Sequence, residues 1–169
     1  MTAPQTSVSS MARGFAGLVS DSSRDSNVRS YVSEEASAEI PFGTFVKQGA
    51  ADNGALKMTA QTDATIIGLV VHSHAYAKDT ELGDTGLKPG VTLSVLTRGR
   101  AFVLCEQAVT PATPVFIRGV AAGAEVAGSV RSDADVNDAV DASAWARFLE
   151  TTTGAGFAEI EFDVNNRLA

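Results

Sequence analysis

The chain has 169 residues, which is enough for one domain of ordinary size with an additional segment, or for two very small domains. Hydrophobic residues make up 44% and charged residues 20%, a balance that excludes a chain disordered throughout. The net charge of −7 repels phosphate backbones and argues against nucleic acid as a partner, and the single cysteine excludes an intrachain disulfide.

The sequence shows neither a membrane-spanning pattern nor a secretory leader. No apolar run approaches the roughly 20 residues that a bilayer-spanning helix needs. The first ten residues contain no basic region followed by an apolar one. We therefore expect a protein that is made in the cytoplasm, stays soluble there and has no membrane partner.

Residues 1–28 predict an extended N-terminal arm ahead of a β-rich domain over residues 29–169. The segment is rich in serine, and only Phe15, Leu18 and Val19 offer apolar surface. A segment with so little to bury is disordered alone or ordered by contact with something else. Two interpretations stay open: a floppy terminus, or an arm whose apolar patch docks on a neighbouring subunit.

From residue 29 onward the sequence alternates between strand patterns and turn signals. The predicted strands cover residues 29–33, 44–47, 56–59, 66–74, 91–95, 101–105, 115–118 and 125–130. Residues 97–100 supply turn or bulge chemistry between the fifth and sixth of these strands. A helix is possible only within residues 133–142, and even there the apolar stripe is thin.

The C-terminal region shows the clearest alternation of apolar and acidic residues. Ala158, Ile160, Phe162 and Val164 fall on one face of a strand, with acidic residues on the other. Residues 145–150 precede this strand across a predicted hairpin. Many short strands separated by turns predict an all-β fold, either a small barrel or a sandwich.

His72 and His74 form the most suggestive pattern for a metal site, because alternate residues of a strand project from the same face. Zinc would need further ligands, for which Asp79, Glu81 and Cys105 are the candidates. The alternative is two polar residues on the exposed side of a strand. We expect no metal and no cofactor.

Other patterns of catalytic or ligand-binding sites are incomplete. The acidic run from Asp133 begins like a calcium loop, but it has Asp138 where glycine is needed and Ala144 where a bidentate glutamate is needed, so it predicts a solvated loop. Cys105 lies in an apolar strand and is expected to be a buried, inert thiol. Phosphate-binding glycine motifs and the nucleophile elbow are lacking. The sequence therefore predicts no enzyme.

Arg98 and Arg100 flank Gly99 and are candidate interaction residues. An arginine pair at this position suits an anion or a carboxylate of a partner protein. Solvated side chains at the tip of a hairpin are the alternative interpretation.

Several segments, taken in order, resemble the capsid decoration (structural cement) proteins of tailed bacteriophages. Members of this family carry an "fG-x-x-V" entry and a core strand. These are followed by a "V-x-V-x-T-x-G" hairpin, a "pVyvr" strand and a C-terminal hairpin with "a-x-F-x-T" and "G-x-A-x-V". The similar segments here are residues 40–46, 66–71, 91–104, 108–118, 146–150 and 156–162. The resemblance covers about residues 29–164, and residues 1–28 show no counterpart.

The resemblance implies a β-barrel or β-tulip-like fold, self-association as a homotrimer and attachment to the major capsid protein on the outer surface of the virion. It brings no catalytic residues. We predict a non-enzymatic cement protein that stabilises the shell by bridging capsid subunits, with Phe15, Leu18, Val19, Arg98 and Arg100 as contact residues. The alternative is a virion-associated module that binds a receptor or a carbohydrate.

Overall fold

The computed structural model describes residues 14–21, 25–59, 65–73 and 86–168, and this part of the chain is built of β-strands and two short 3-10 turns. The all-β prediction is confirmed. The 3-10 turns cover Asp135–Asn137 and Val164–Leu168. The strands are β1 Val19–Asp21, β2 Asn27–Ser33, β3 Ile40–Pro41, β4 Phe45–Gln48, β5 Gly54–Lys57, β6 Ile66–Val70, β7 Gly86–Leu87, β8 Thr92–Cys105, β9 Phe116–Arg118, β10 Val130–Arg131, β11 Ala139–Asp141, β12 Ala146–Phe148 and β13 Gly156–Asp163.

Five strands close into a barrel in the order β8, β2, β5, β4 and β6, with β6 pairing back onto β8. The side chains of Val46, Val70, Leu93 and Val95 are fully buried in its core. Closure brings the two backbones so close at Gly68 that a Cβ there would lie 2.2 Å from the Leu96 carbonyl oxygen. Glycine is therefore the residue that lets the barrel close.

A second layer of strands packs outside the barrel. The second half of β8 leaves the barrel and pairs antiparallel with β13, from Arg98 opposite Asp163 to Cys105 opposite Gly156. On the other side of β13 lies β12, while β10 runs beside β8 and is followed by β9 and β11. The inner face of β13 packs in one core with outward-facing residues of the barrel such as Phe45. The predicted hairpin and alternation of the C-terminal region are thus confirmed.

The turn predicted at residues 97–100 is wrong, because β8 is one continuous strand of 14 residues. Consecutive residues of β2, Asn27 and Val28, lie opposite Arg98 and Leu96 of β8. Thr97 lies between them without a register partner on β2 and forms a bulge. The bulge interpretation is confirmed. It allows the two halves of β8 to serve two different cores, since a bulge bends a strand and alters its twist.

Three other predicted elements need correction. The helix considered within residues 133–142 does not form: the segment holds one 3-10 turn and the strand β11, and Asp133 and Asp135 form ion pairs with Arg131. The strand at residues 125–130 is reduced to Val130 at the start of β10. The strand predicted at 66–74 ends at Val70.

Residues 14–21 and 25–28, which fall within the predicted arm, contact the barrel strand β8. Val19 pairs with Ala101, and the Phe102 amide donates to the Leu18 carbonyl at 2.9 Å. The Gly17 carbonyl accepts a hydrogen bond from the His72 amide at 2.9 Å. This part of the segment is therefore ordered by backbone pairing within its own chain. A separate arm over residues 1–28 stays a prediction.

Within the residues described here, no helix has the length and apolarity that a membrane crossing requires.

Candidate functional site

The five residues predicted to contact a partner all lie along the second half of β8. Arg98 and Arg100 belong to this strand and project away from the core, in mid-strand and not at a hairpin tip. Leu18 and Val19 lie beside it and are half-buried, whereas the Phe15 ring is 41% exposed. The structure therefore brings the predicted residues to one region, with Phe15 as its projecting apolar group.

The two arginines of β8 are paired with carboxylates of the same chain, and we call this region the ion-pair strip. Arg100 Nε donates to Glu161 on β13 at 3.1 Å, and Arg98 Nε lies 3.5 Å from Asp163. The members of the strip are Asp21, Asp25, Arg98, Arg100, Arg147, Glu161 and Asp163. It carries both signs of charge along one face of the sheet.

Glu161 is the central carboxylate of the strip, because it accepts hydrogen bonds from both Arg100 and Arg147. Burial alone would raise the pKa of this carboxyl, but hydrogen bonds from Arg147 and Arg100 outweigh it and lower the pKa. The Arg147 side chain is 67% exposed and that of Arg98 is 50% exposed. Exposed pairs of this kind contribute about 0–1 kcal/mol, so a partner can exchange them at little cost.

An open cleft of about 340 Å³ borders the strip. Arg98, Trp145 and Phe162 contribute to its wall. Trp145 is only 7% exposed and packs edge-on against Phe45 at 6.0 Å between ring centroids. The tryptophan therefore serves mainly the second core and presents little aromatic surface for stacking on a sugar.

His72 lies just after β6 and contacts two aromatic rings. Its ring centroid is 4.9 Å from that of Phe15 and 4.5 Å from that of Phe42. Three of the other candidate ligands, His74, Asp79 and Glu81, lie outside the described residues. Among the residues described, no three His, Cys, Asp or Glu side chains form a cluster that could hold a metal ion. His72 thus packs between the N-terminal segment and the barrel.

Cys105 is buried at the end of β8, as the sequence predicts. Burial raises the pKa of its thiol, and the thiol donates to the Gln107 carbonyl at 3.2 Å. A raised pKa disfavours the thiolate, which is the reactive form. This environment suits a packing group.

The most unusual polar feature is a buried network that we call the Arg118 cluster. Arg118 is completely buried, and its guanidinium binds Glu106 through Nε at 2.5 Å and Nη2 at 2.9 Å. Arg131, 6% exposed, reaches the same carboxylate at 3.2 Å and Asp135 at 2.7 Å. The full set of charged members is Glu106, Arg118, Glu125, Arg131, Asp133 and Asp135.

The acidic run that was predicted as a solvated loop contributes two of its carboxylates to the Arg118 cluster. Asp133 and Asp135 contact buried guanidinium groups, although their side chains keep 56% and 34% of their exposure. Burial alone would raise the pKa of Asp133, but hydrogen bonds from the Asp135 amide, Gln107 and Arg131 outweigh it and lower the pKa. The acidic run therefore closes over two buried arginines.

The acidic run that begins at Asp133 contains two consecutive residues in the left-handed backbone region. Asp135 has φ of 44° and Val136 has φ of 54°. A β-branched residue is a conformational outlier there, and such strain costs on the order of 1–3 kcal/mol per residue. The Val136 side chain is 94% exposed, so no burial offsets the cost.

Sequence reasoning missed the Arg118 cluster. The available signal was weak: Arg118 and Arg131 each follow an apolar residue at the end of a short strand, and Glu106 follows the apolar strand that ends at Cys105. Charged residues at strand ends are usually exposed. Only the approach of β8, β9 and β10 places the three side chains together.

The sequence matches a known protein family over nearly its whole length. The model of the family described as "Structural cement protein (E217 gp24/Pam3 gp6)" matches residues 4–163. The chain belongs to the phage structural cement protein family. This match bears out the resemblance of the separate segments and extends over nearly the whole chain.

A solved structure shares the fold of this cement protein. It is a chain from "The capsid of Myoviridae Phage XM1", with a TM-score of 0.67 and 20% sequence identity over 96% of this chain and 98% of that chain. A search of curated proteins found no match. Family membership and the capsid neighbour support a structural role in a phage capsid.

Proposed function

We propose that the protein is a non-enzymatic decoration protein that binds the outer surface of a phage head and bridges neighbouring subunits of the major capsid protein. The observation that carries this proposal is the match to the structural cement family over residues 4–163. The net charge of −7 favours the outer surface, since the packaged DNA inside the head would repel an acidic protein.

The ion-pair strip and Phe15 are the proposed contact surface. Phe15 supplies exposed apolar area, Leu18 and Val19 hold it beside β8, and Arg98 and Arg100 offer guanidinium groups whose present partners are exposed carboxylates. An acidic or amide-rich region of the shell can replace those carboxylates at little cost. A homotrimer presenting three such surfaces would engage several capsid subunits at once and gain avidity.

Undecorated heads of the parent phage provide the test of the proposed function. A ligand that binds the assembled lattice better than dissociated subunits stabilises the lattice by mass action. We expect added protein to saturate at a fixed copy number on the outside of the heads and to raise their disassembly temperature. Electron microscopy and differential scanning calorimetry are the measurements.

Dissociated capsid subunits are the control for that experiment. We expect them to bind the protein more weakly than heads do, because a bridging protein needs two neighbouring subunits. No binding to heads, or equal stability of bare and decorated heads, would contradict the proposal. Binding to glycans without binding to heads would favour a receptor-binding module.

A further inference from the structure

We infer that the two loops joined by the Arg118 cluster form a second docking surface, in which Val136 and Val120 insert into an apolar site with a basic rim on the capsid shell protein. The inference rests on the proposed function, because it assigns a contact surface for the same partner. The two loops lie near the C-terminal end of β8, whereas Arg98 and Arg100 lie near its middle.

The first observation is the exposure of the two valines. Val136 is 94% and Val120 is 38% exposed. A single exposed apolar residue is common on a protein surface and means little. Val136 differs because it also adopts a left-handed backbone that asparagine or glycine would tolerate much better. Among the large hydrophobic residues that the structure describes, the most exposed one thus has an unfavourable backbone conformation.

The second observation is that both loops are held by the same buried side chain. The Arg118 guanidinium donates through Nη1 to the Val120 carbonyl at 3.2 Å and through Nη2 to Asp135 at 2.7 Å. The Gly119 amide donates to the Asp138 carbonyl at 2.9 Å, which ties the loops a second time. The valines are therefore carried by loops that are fixed relative to each other before any partner binds, which lowers the entropic cost of binding.

The charge around the valines identifies the partner by its chemistry. The Arg118 cluster contains four carboxylates against two guanidinium groups, and Asp138 and Asp141 add more negative charge. Within the Arg118 cluster, the most exposed carboxylates are those of Glu125 and Asp133, at 45% and 56%. A surface of this kind complements an apolar depression surrounded by Lys and Arg.

A second copy of this chain fits the surface less well than the shell protein does. The chain carries a net charge of −7, so a second copy presents on balance the same sign of charge to this acidic surface. We therefore assign the surface to the shell protein, and self-association becomes an outcome of the test.

The variant Val136→Asn separates docking from folding. Asparagine tolerates the left-handed region, so we expect the free protein to be as stable as the original or more stable in denaturant unfolding. The valine side chain would be buried only on docking, so its loss should nevertheless weaken binding to undecorated heads on the order of tenfold. Val120→Ser should weaken binding in the same direction. Opposite changes in stability and affinity are not expected of a residue with a purely structural role.

Val28→Asn is the matched control, because Val28 is another exposed valine, at 49%, but lies on β2 away from the Arg118 cluster. We expect it to bind heads as the original protein does. Unchanged head binding by Val136→Asn would overturn the inference, as would an altered oligomeric state in light scattering with head binding unchanged. If the original protein does not bind heads at all, the proposed function itself fails, which distinguishes the two results.

Discussion

At the scale of single residues, Arg118 shows how a charge is kept inside this fold. Its side chain is 0% exposed, yet every nitrogen of the guanidinium has an acceptor. Nε and Nη2 donate to the Glu106 carboxylate, Nη1 donates to the Val120 carbonyl, and Nη2 also donates to Asp135. Hydrogen bonding to the Glu106 carboxylate is the largest cause that raises the pKa of Arg118 above its ordinary value. A buried charge that is fully paired in this way is stable as long as its partners remain.

We predict that Arg118→Met lowers the free energy of unfolding by about 3–5 kcal/mol, because Glu106 stays buried with one of its cations removed. Denaturant unfolding measures the change. Arg147→Met is the control: Arg147 also pairs with a glutamate but is 67% exposed, so its loss should cost at most about 1 kcal/mol. Similar losses for the two variants would show that the Arg118 cluster is not a stabilising unit.

At the scale of elements, β1 depends on one glycine. Gly17 has φ of 78°, and a Cβ at this position would lie 2.6 Å from the His72 backbone nitrogen and 2.9 Å from the Val70 carbonyl oxygen. The same residue uses its own amide to bind the Phe102 carbonyl at 2.8 Å. The N-terminal segment can therefore lie between β6 and β8 only because position 17 has no side chain.

We predict that Gly17→Ala displaces this segment and accelerates hydrogen exchange at the Phe102 and His72 amides, which donate to Leu18 and Gly17. The variant should also bind heads more weakly if Phe15 must be held beside β8 to make contact. Hydrogen-exchange mass spectrometry and the head-binding assay are the measurements.

Gly90→Ala is the matched control for the Gly17 variant. Gly90 has a nearly equal φ of 76°, but no atom lies within 4 Å of the added Cβ. It should therefore show only the conformational cost of roughly 1–2 kcal/mol, without faster exchange at Phe102 or His72. Unaltered exchange at both amides in Gly17→Ala would disprove the role assigned to this glycine.

At the scale of the whole molecule, the strand β8 joins two cores. Its first half buries Leu93 and Val95 in the barrel, and its second half buries Ala101 and Val103 against β13. Neither core can lose β8 and remain covered, so we expect the described body to unfold as one unit.

We predict that Leu93→Ala in the barrel and Ile160→Ala in the second core each lower the free energy of unfolding by about 2–5 kcal/mol and shift the same single transition. Both side chains are 0% exposed. The exposed control Val28→Ala should change stability by no more than about 0.5 kcal/mol. Calorimetry measures the number of unfolding transitions and their midpoints. Two transitions, each shifted by only one of the variants, would mean that the two cores unfold independently.

The all-β class, most of the strands and the family are predictable from the amino-acid sequence alone. Alternation at Ala158, Ile160 and Phe162 directly predicts a half-buried strand, because side chains of a strand point to alternate faces, and an ordered series of such patterns sufficed for the cement resemblance. These signals are local, so no knowledge of distant neighbours was needed.

Contacts between residues that are far apart in the sequence are evident only in the tertiary structure. The same local rules predicted a turn at residues 97–100, where β8 continues, because a glycine between two arginines suits a bulged strand as well as a turn. The Arg118 cluster joins Arg118 of β9, Arg131 of β10 and Glu106, which follows β8, and the pairing of Arg100 with Glu161 spans 61 positions. Ion pairs of this kind depend on strand register, which arises from burial throughout the molecule and leaves little trace in the local pattern.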